Sequence, residues 1–120
     1  MKKENIVVDK SFDFALRTVR LYKRLCEEKK EFVLSKQVLK SGTSIGANIR
    51  EAERTQSKKD FIARMTIALK EADETAYWLE LLYKSEFITK SQYASILPDI
   101  SELLSILSSI VRTAKECHAR

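Results

Sequence analysis

Residues 57–83 read SKKDFIARMTIALKEADETAYWLELLY, and the spacing of the apolar residues within them decides the fold. Phe61, Met65, Ala68, Leu69, Ala72, Ala76, Leu79 and Tyr83 recur three and four apart, the period of a helix that buries one face. Neither glycine nor proline interrupts the run, and Ser57 with Asp60 has capping-box spacing, aspartate standing for the usual glutamate. A helix over about 58–86 follows.

The same period extends in both directions. Downstream, Thr89 and Gln92 form a second capping box ahead of Tyr93, Ile96, Ile100, Leu103, Leu104, Leu107, Ile110 and Val111, which predicts a helix over about 90–116. Pro98 lies inside it, so a kink near Ile96 and Leu97, or a short helix followed by a longer one, is expected. Upstream, Val38, Leu39, Ile45, Ile49 and Ala52 mark a helix over about 35–56, with Ser35 as N-cap. Gly42 and Gly46 sit four apart inside it. Because glycine costs ~1 kcal/mol against alanine in a helix, they read as points where another backbone comes close, a broken helix being the alternative. The first helix, about 10–30, has its main stripe at Phe12, Leu16, Val19, Tyr22 and Cys26, widened by Phe14, Leu21 and Leu25. Met1 to Asp9 reads as a short polar or extended start, and the charged run Glu27 to Glu31 as the turn that ends the helix.

Four helices with short connections fill nearly all of the 120 residues. Two glycines and one proline cannot supply the turns of a sandwich or barrel, so an all-β fold is excluded. The expected fold is all-α: a single domain over 1–120, an antiparallel up-down-up-down four-helix bundle. No apolar run reaches the ~18 residues of a membrane span and no signal-peptide core follows Met1, so a cytosolic protein without a membrane partner is expected. That topology puts Cys26 and Cys117 at opposite ends, beyond disulfide reach, as ordinary reduced thiols.

The residues that carry chemistry are few. His118, the one histidine, stands in the C-terminal tail, which removes the di-iron bundles with their paired Glu-x-x-His motifs. Neither the cysteines nor the histidine form a metal knuckle, and no cofactor is expected. Glu71 and Glu74 share one helical face, with Glu51 and Glu53 on the neighbouring helix. Gathered together they suit Mg²⁺ in an all-α nucleotide pyrophosphatase-like hydrolase, although this spacing arises readily by chance in charged helices. Asn48, between Ile45 and Ile49, points toward the buried side of its helix. Its amide needs partners, for which Ser44, Glu51, Glu74 and Thr75 are placed.

The run Ser44-Ile45-Gly46-Ala47-Asn48-Ile49-Arg50-Glu51-Ala52, then Lys59-Asp60-Phe61 and Ile67 to Leu79, resembles the bacterial four-helix-bundle family named for the 23S rRNA intervening-sequence protein. The accessory variability determinant of diversity-generating retroelements is a relative within that resemblance. What the resemblance implies is an up-down bundle assembling into a ring, commonly a homopentamer, with no catalytic centre. The retroelement relative binds nucleic acid and a reverse transcriptase through a basic surface. The shared positions Ser44, Asn48, Glu51, Ala68, Glu71 and Glu74 look like packing and polar-network positions.

The net charge of +5 is uneven: residues 1–60 hold 15 basic and 9 acidic groups, residues 61–120 hold 7 and 8. Arg17, Arg20 and Arg24 share a face of the first helix with Lys23 beside them, and Lys36 with Lys40 and Arg50 with Arg54 do so on the second. These eight are the candidate contacts to RNA or DNA. The chain shows no finger, recognition helix or stacked aromatic platform, so such binding rests on phosphates and tolerates any sequence. Phe14, Leu21 and Leu25 on the first helix, and Ile62, Trp78 and Leu82 on the third, exceed what one seam requires and predict an interface between copies, a broader monomer core being the alternative. The function expected is a non-enzymatic oligomeric scaffold or adaptor with a nucleic-acid or protein partner; the hydrolase is the alternative.

Overall fold

The computed structural model describes residues 3–119, which form four helices: α1 (Lys3–Lys29), α2 (Leu34–Ala52), α3 (Lys58–Lys84) and α4 (Lys90–Ala119). Each helix packs on its neighbours in sequence and α4 closes back onto α1, giving the four-helix bundle, 50 Å long and 23 × 21 Å across. The α1/α4 pair touches least.

The α1 start differs from expectation. Met1 and Lys2 lie outside the described residues, and Lys3 to Asp9 are the first two turns of α1 rather than an extended segment. Ile6, Val7 and Val8 look strand-like by β-branching, but Val7 is fully buried and continues the core face, so packing overrides local propensity.

The buried face of α1 is also different. It is Val7, Ser11, Phe14, Thr18, Leu21 and Leu25, whereas Phe12 (52 % exposed) and Leu16 (39 %) point outward. The close approach of α2 selects that face. A Cβ on Gly42 would lie 2.5 Å from Thr18 Cγ2, and one on Gly46 would lie 3.3 Å from Ser11 Oγ. Two glycines on α2 thus receive two small hydroxyl residues of α1, as their spacing predicted. Neither hydroxyl is orphaned: Ser11 donates to the Val8 carbonyl (3.0 Å) and Thr18 to that of Ala15 (2.8 Å).

The α1/α2 turn reassigns the cap. Lys30 is left-handed (φ 54°), and the Glu31 amide donates to the Leu25 carbonyl. The Glu31 carboxylate then accepts from the amides of Val33 (3.0 Å), Leu34 (3.0 Å) and Ser35 (2.6 Å). Ser35, expected as the N-cap, lies inside the first turn and donates its hydroxyl to the Glu31 carbonyl (2.7 Å). A carboxylate two to four residues upstream of the amides it accepts from therefore does the capping, with favourable charge at the helix N-terminus.

At its other end α2 stops at Ala52, short of 56. Ser57 must be extended (φ −123°, ψ 153°) to accept from the Asp60 amide, and Thr55 Oγ1 takes the Ala52 carbonyl (2.7 Å). α3 ends in a Schellman motif. The Phe87 amide donates to the Leu82 carbonyl, the Glu86 amide to that of Tyr83, and Glu86 itself is left-handed (φ 68°). Thr89 and Gln92 close the full reciprocal box that opens α4, at 2.7 and 3.1 Å. Tyr83 stacks on Tyr93 at 4.6 Å across this corner.

Pro98 does not divide α4, which runs as one helix. By length and composition α4 is apolar enough to cross a membrane; in the fold Ile96, Ile100, Leu103, Leu107, Ile110, Val111 and Ala114 turn its apolar face into the bundle core. On α3 the buried residues are Met65, Ala68, Ala72, Thr75, Leu79 and Leu82. Phe14, Leu21, Leu25 and Leu82, read from sequence as surplus apolar surface, are therefore core. The exposed large apolar side chains are instead Phe12, Leu16, Phe32, Val33, Ile67, Tyr77 and Leu97.

Candidate functional site

The eight cations singled out from sequence do not share one surface. On α1, Arg17 is half-buried and reaches across to α4, where it donates to Asp99 Oδ2 (2.7 Å), the Ser95 carbonyl (3.0 Å) and Ser95 Oγ (2.9 Å). Pro98 removes the amide that the Ala94 carbonyl would accept from and crowds that turn, and the Arg17 bonds to the neighbouring Ser95 tie this stretch of α4 to α1. Arg17 is thus a clamp between the least intimate helix pair rather than a free cation.

Arg20, Lys23 and Arg24 are exposed on the following turns. Arg20 and Arg24, one turn apart, join Arg17 in walling a half-open groove of about 410 Å³ between α1 and α4. Ser91, Gln92 and Ser95 form its α4 wall; Leu21, Ile88 and Ile96 complete the lining. No carboxylate lines it. The adjoining depression of about 350 Å³ toward the α1 N-terminus is mixed in charge, with Lys10, Asp13, Arg17, Arg20, Asp99 and Glu102 around it. Lys10 there pairs with Glu102 at 3.0 Å.

On α2, Lys36 and Lys40 are exposed near the helix start. Thr18 faces Gly42 and Ser11 faces Gly46, so the α2 start lies beside the α1 end, and both lysines sit at the same end of the bundle as Arg24. Arg50 and Arg54 belong to the opposite end. Arg50 lies over the Phe12 ring, 5.8 Å from its centroid, and Arg54 is exposed in the turn after α2.

The polar positions on α2 and α3 divide into two groups. Asn48 is half-buried: its Nδ2 donates to the Ser44 carbonyl (2.8 Å), and its Oδ1 accepts from Arg64 (3.3 Å). The same guanidinium pairs with Glu51 at 2.8 Å, so Ser44, Asn48 and Glu51 are linked to α3 through Arg64. Glu71 and Glu74 lie farther along α3 and are not part of that link. Burial, then the Glu74 carboxylate, pushes the Glu71 carboxyl up, while Lys70 and Lys40 partly offset this. Among the described residues no three His, Cys, Asp or Glu side chains come together as a metal site. The four carboxylates of the hydrolase alternative are thus not gathered. Deeper in the same interface the Thr75 hydroxyl donates to Ser41 Oγ across 2.9 Å, a fully buried link.

Sequence reasoning missed Asp99, Ser95, Arg64 and the Ser41–Thr75 pair. Each acts across helices at a separation of 16 to 82 residues, for which helical periodicity carries no signal. Ser91 and Gln92 were legible only as first-turn residues of α4.

The profile of the family described as 23S rRNA-intervening sequence protein matches residues 3–109. A crystal structure of a protein of unknown function from the S23 ribosomal protein family, from Bacteroides thetaiotaomicron VPI-5482, is 60 % identical to the chain. It covers 92 % of this chain and 99 % of its own, at a TM-score of 0.91. No curated protein matches.

Proposed function

The chain belongs to the 23S rRNA-intervening sequence protein family, and on that premise we propose that it is a non-enzymatic oligomeric scaffold that holds RNA or DNA by its phosphates. The carrying observation is how the basic residues are deployed. Of the eight cations singled out from sequence, Arg17 alone is paired with a carboxylate; among the described residues Arg20, Lys23, Arg24, Lys36, Lys40, Arg50 and Arg54 make no ion pair. Five of these seven lie toward one end of the bundle. Solvated cations so concentrated release counterions when they meet a polyanion, which drives sequence-tolerant binding.

Assembly rests on a second feature. Phe12 and Leu16, one turn apart on α1, are exposed although apolar, and Arg50 packs over the Phe12 ring instead of a core residue. A second copy that covers this stripe removes it from water. The order of five is taken from the family resemblance. A protein partner on the assembled surface belongs to the same reading.

The test is gel shift with mixed-sequence RNA and DNA at low and physiological salt, with sedimentation of the free protein. The expected results are a complex at low salt that weakens steeply as salt rises, and a multimeric mass at micromolar concentration. No complex at low salt with micromolar protein overturns the nucleic-acid part, and a monomer mass overturns the scaffold.

A further inference from the structure

We propose that the groove between α1 and α4 is where the phosphates are held, one nucleotide unit per protomer, by Arg20 and Arg24 against Ser91 and Gln92. This deepens the phosphate-binding reading above and rests on it. Four observations single out the groove. Its lining is basic and free of carboxylates, whereas the depression next to it carries Asp13, Asp99 and Glu102. Arg20 and Arg24 are without partners among the described residues, so neither must leave an internal bond to take a ligand. Arg17, whose guanidinium is held by Asp99 and Ser95, fixes the wall they stand on. The volume, about 410 Å³, accommodates one nucleotide, and the half-open form lets a strand enter and leave.

The chemistry of the walls favours phosphate. A guanidinium offers a planar fork of donors that fits two phosphate oxygens at once, and two of them one helical turn apart embrace a single phosphodiester. Ser91 and Ser95 add hydroxyl donors; Ser95 Oγ accepts from Arg17 and so keeps its own hydrogen free. Gln92 uses its carbonyl oxygen to cap the Thr89 amide, which leaves its amide nitrogen as a further donor. Thr89 and Gln92 cap two amides of this helix end, and the partial positive charge of the α4 N-terminus adds to the same side. Leu21, Ile88 and Ile96 are buried at the groove's floor, and the lining holds no ring on which a base stacks, consistent with indifference to sequence.

Anisotropy of a labelled mixed-sequence single-stranded RNA of about twenty nucleotides tests the assignment on the assembled protein, in four forms. These are the wild type, Arg20→Ala with Arg24→Ala, Ser91→Glu, and Lys36→Ala with Lys40→Ala. The double arginine variant is expected to bind at least tenfold more weakly at low salt, with the slope of log K against log salt reduced by about two. Ser91→Glu places a carboxylate inside the groove at an exposed first-turn position where acidic residues favour the helix. It is expected to lose binding comparably with its helicity intact. The α2 variant, which removes two solvated cations of the same end but leaves the groove intact, is expected to weaken binding by less than either groove variant does. Wild-type affinity in both groove variants, with loss confined to the α2 variant, overturns the groove while nucleic-acid binding stands. A poly-glutamate peptide that binds equally well and displaces the RNA assigns the groove to carboxylates and overturns the phosphate assignment. A wild type that binds no RNA at low salt removes the functional reading itself, and the groove assignment with it.

Discussion

Replacing Glu31 by alanine should destabilise the bundle more than any other single change on its surface turns. The carboxylate accepts three consecutive amides, those of Val33, Leu34 and Ser35, at 2.6 to 3.0 Å, and α2 has no side-chain cap at Val33 to take over. Glu31 is 8 % exposed, so the freed amides regain water only in part. A lost cap costs ~0.5–2 kcal/mol and hydrogen bonds to a charged group ~1.5–3, so a net loss of about 2 kcal/mol follows, roughly 6–10 °C in Tm for a chain of this length. Glu31→Gln keeps one acceptor and loses the charge, and about half that effect is expected.

The same site titrates. Burial pushes the Glu31 carboxyl up, but the amides of Leu34, Ser35 and Val33 and the Ser35 hydroxyl outweigh it and hold it below its ordinary value of 4.5. A carboxyl lowered in the folded state stabilises above its unfolded value, and the gain is lost as pH falls through the folded value. The stability gap between wild type and Glu31→Gln should therefore be full at pH 6 and shrink steadily below about 4.5. Urea denaturation at one fixed protein concentration, repeated from pH 6 to pH 3, reads both effects. A loss under 0.5 kcal/mol for Glu31→Ala, or a gap that widens toward acid, refutes the capping account.

Gly42→Ala is expected to cost about 1 kcal/mol or more despite the better helix propensity of alanine. The new Cβ meets Thr18 Cγ2 at 2.5 Å on a stiff β-branched side chain, and Thr18→Ala in the same chain should recover most of the loss. Gly46→Ala, with Ser11 Oγ at 3.3 Å, should stay within about 0.5 kcal/mol of wild type in the same denaturation series. Glu86→Gly should stabilise by about 0.5–1 kcal/mol, because glycine adopts the left-handed φ of 68° without a Cβ penalty and the Schellman bonds remain; thermal melts check it.

The fold was legible because its determinants are local. Ser57 and the Thr89–Gln92 box announced the starts of α3 and α4, and the three-four spacing supplied the rest. What failed was the choice between two apolar stripes on α1. Phe12, Leu16 and Val19 make the more hydrophobic one, yet the core takes the stripe that includes Ser11 and Thr18. The deciding fact lies on another helix: glycines four apart on α2 demand small residues opposite them, and only the Ser11–Thr18 face supplies these without a clash. Gly42 and Gly46 were read correctly as a close approach, so asking which face of α1 carries small side chains would have found the register.

That exchange of faces changes which residues bear on the function. The interface argument rested on Phe14, Leu21, Leu25, Ile62, Trp78 and Leu82; the first three and Leu82 are core and Ile62 and Trp78 half-buried, so four of the six belong to the bundle's own core. On α1 the exposed apolar surplus is Phe12 and Leu16, and Leu16 lines the mixed-charge depression shared with Arg17 and Arg20. Arg17 shows the complementary error: it shares a face with Arg20 and Arg24, but a partner 82 residues away commits it to the fold. A charge read along one helix reports how the side chain is placed, while its freedom to bind depends on what the neighbouring helix presents. On α1 the two properties separate within a single turn, Arg17 being bound and Arg20 free. On the proposed reading, a copy packed on the Phe12–Leu16 stripe would lie one turn from Arg20, so that the assembly and the phosphate binding proposed above would use neighbouring parts of one helix.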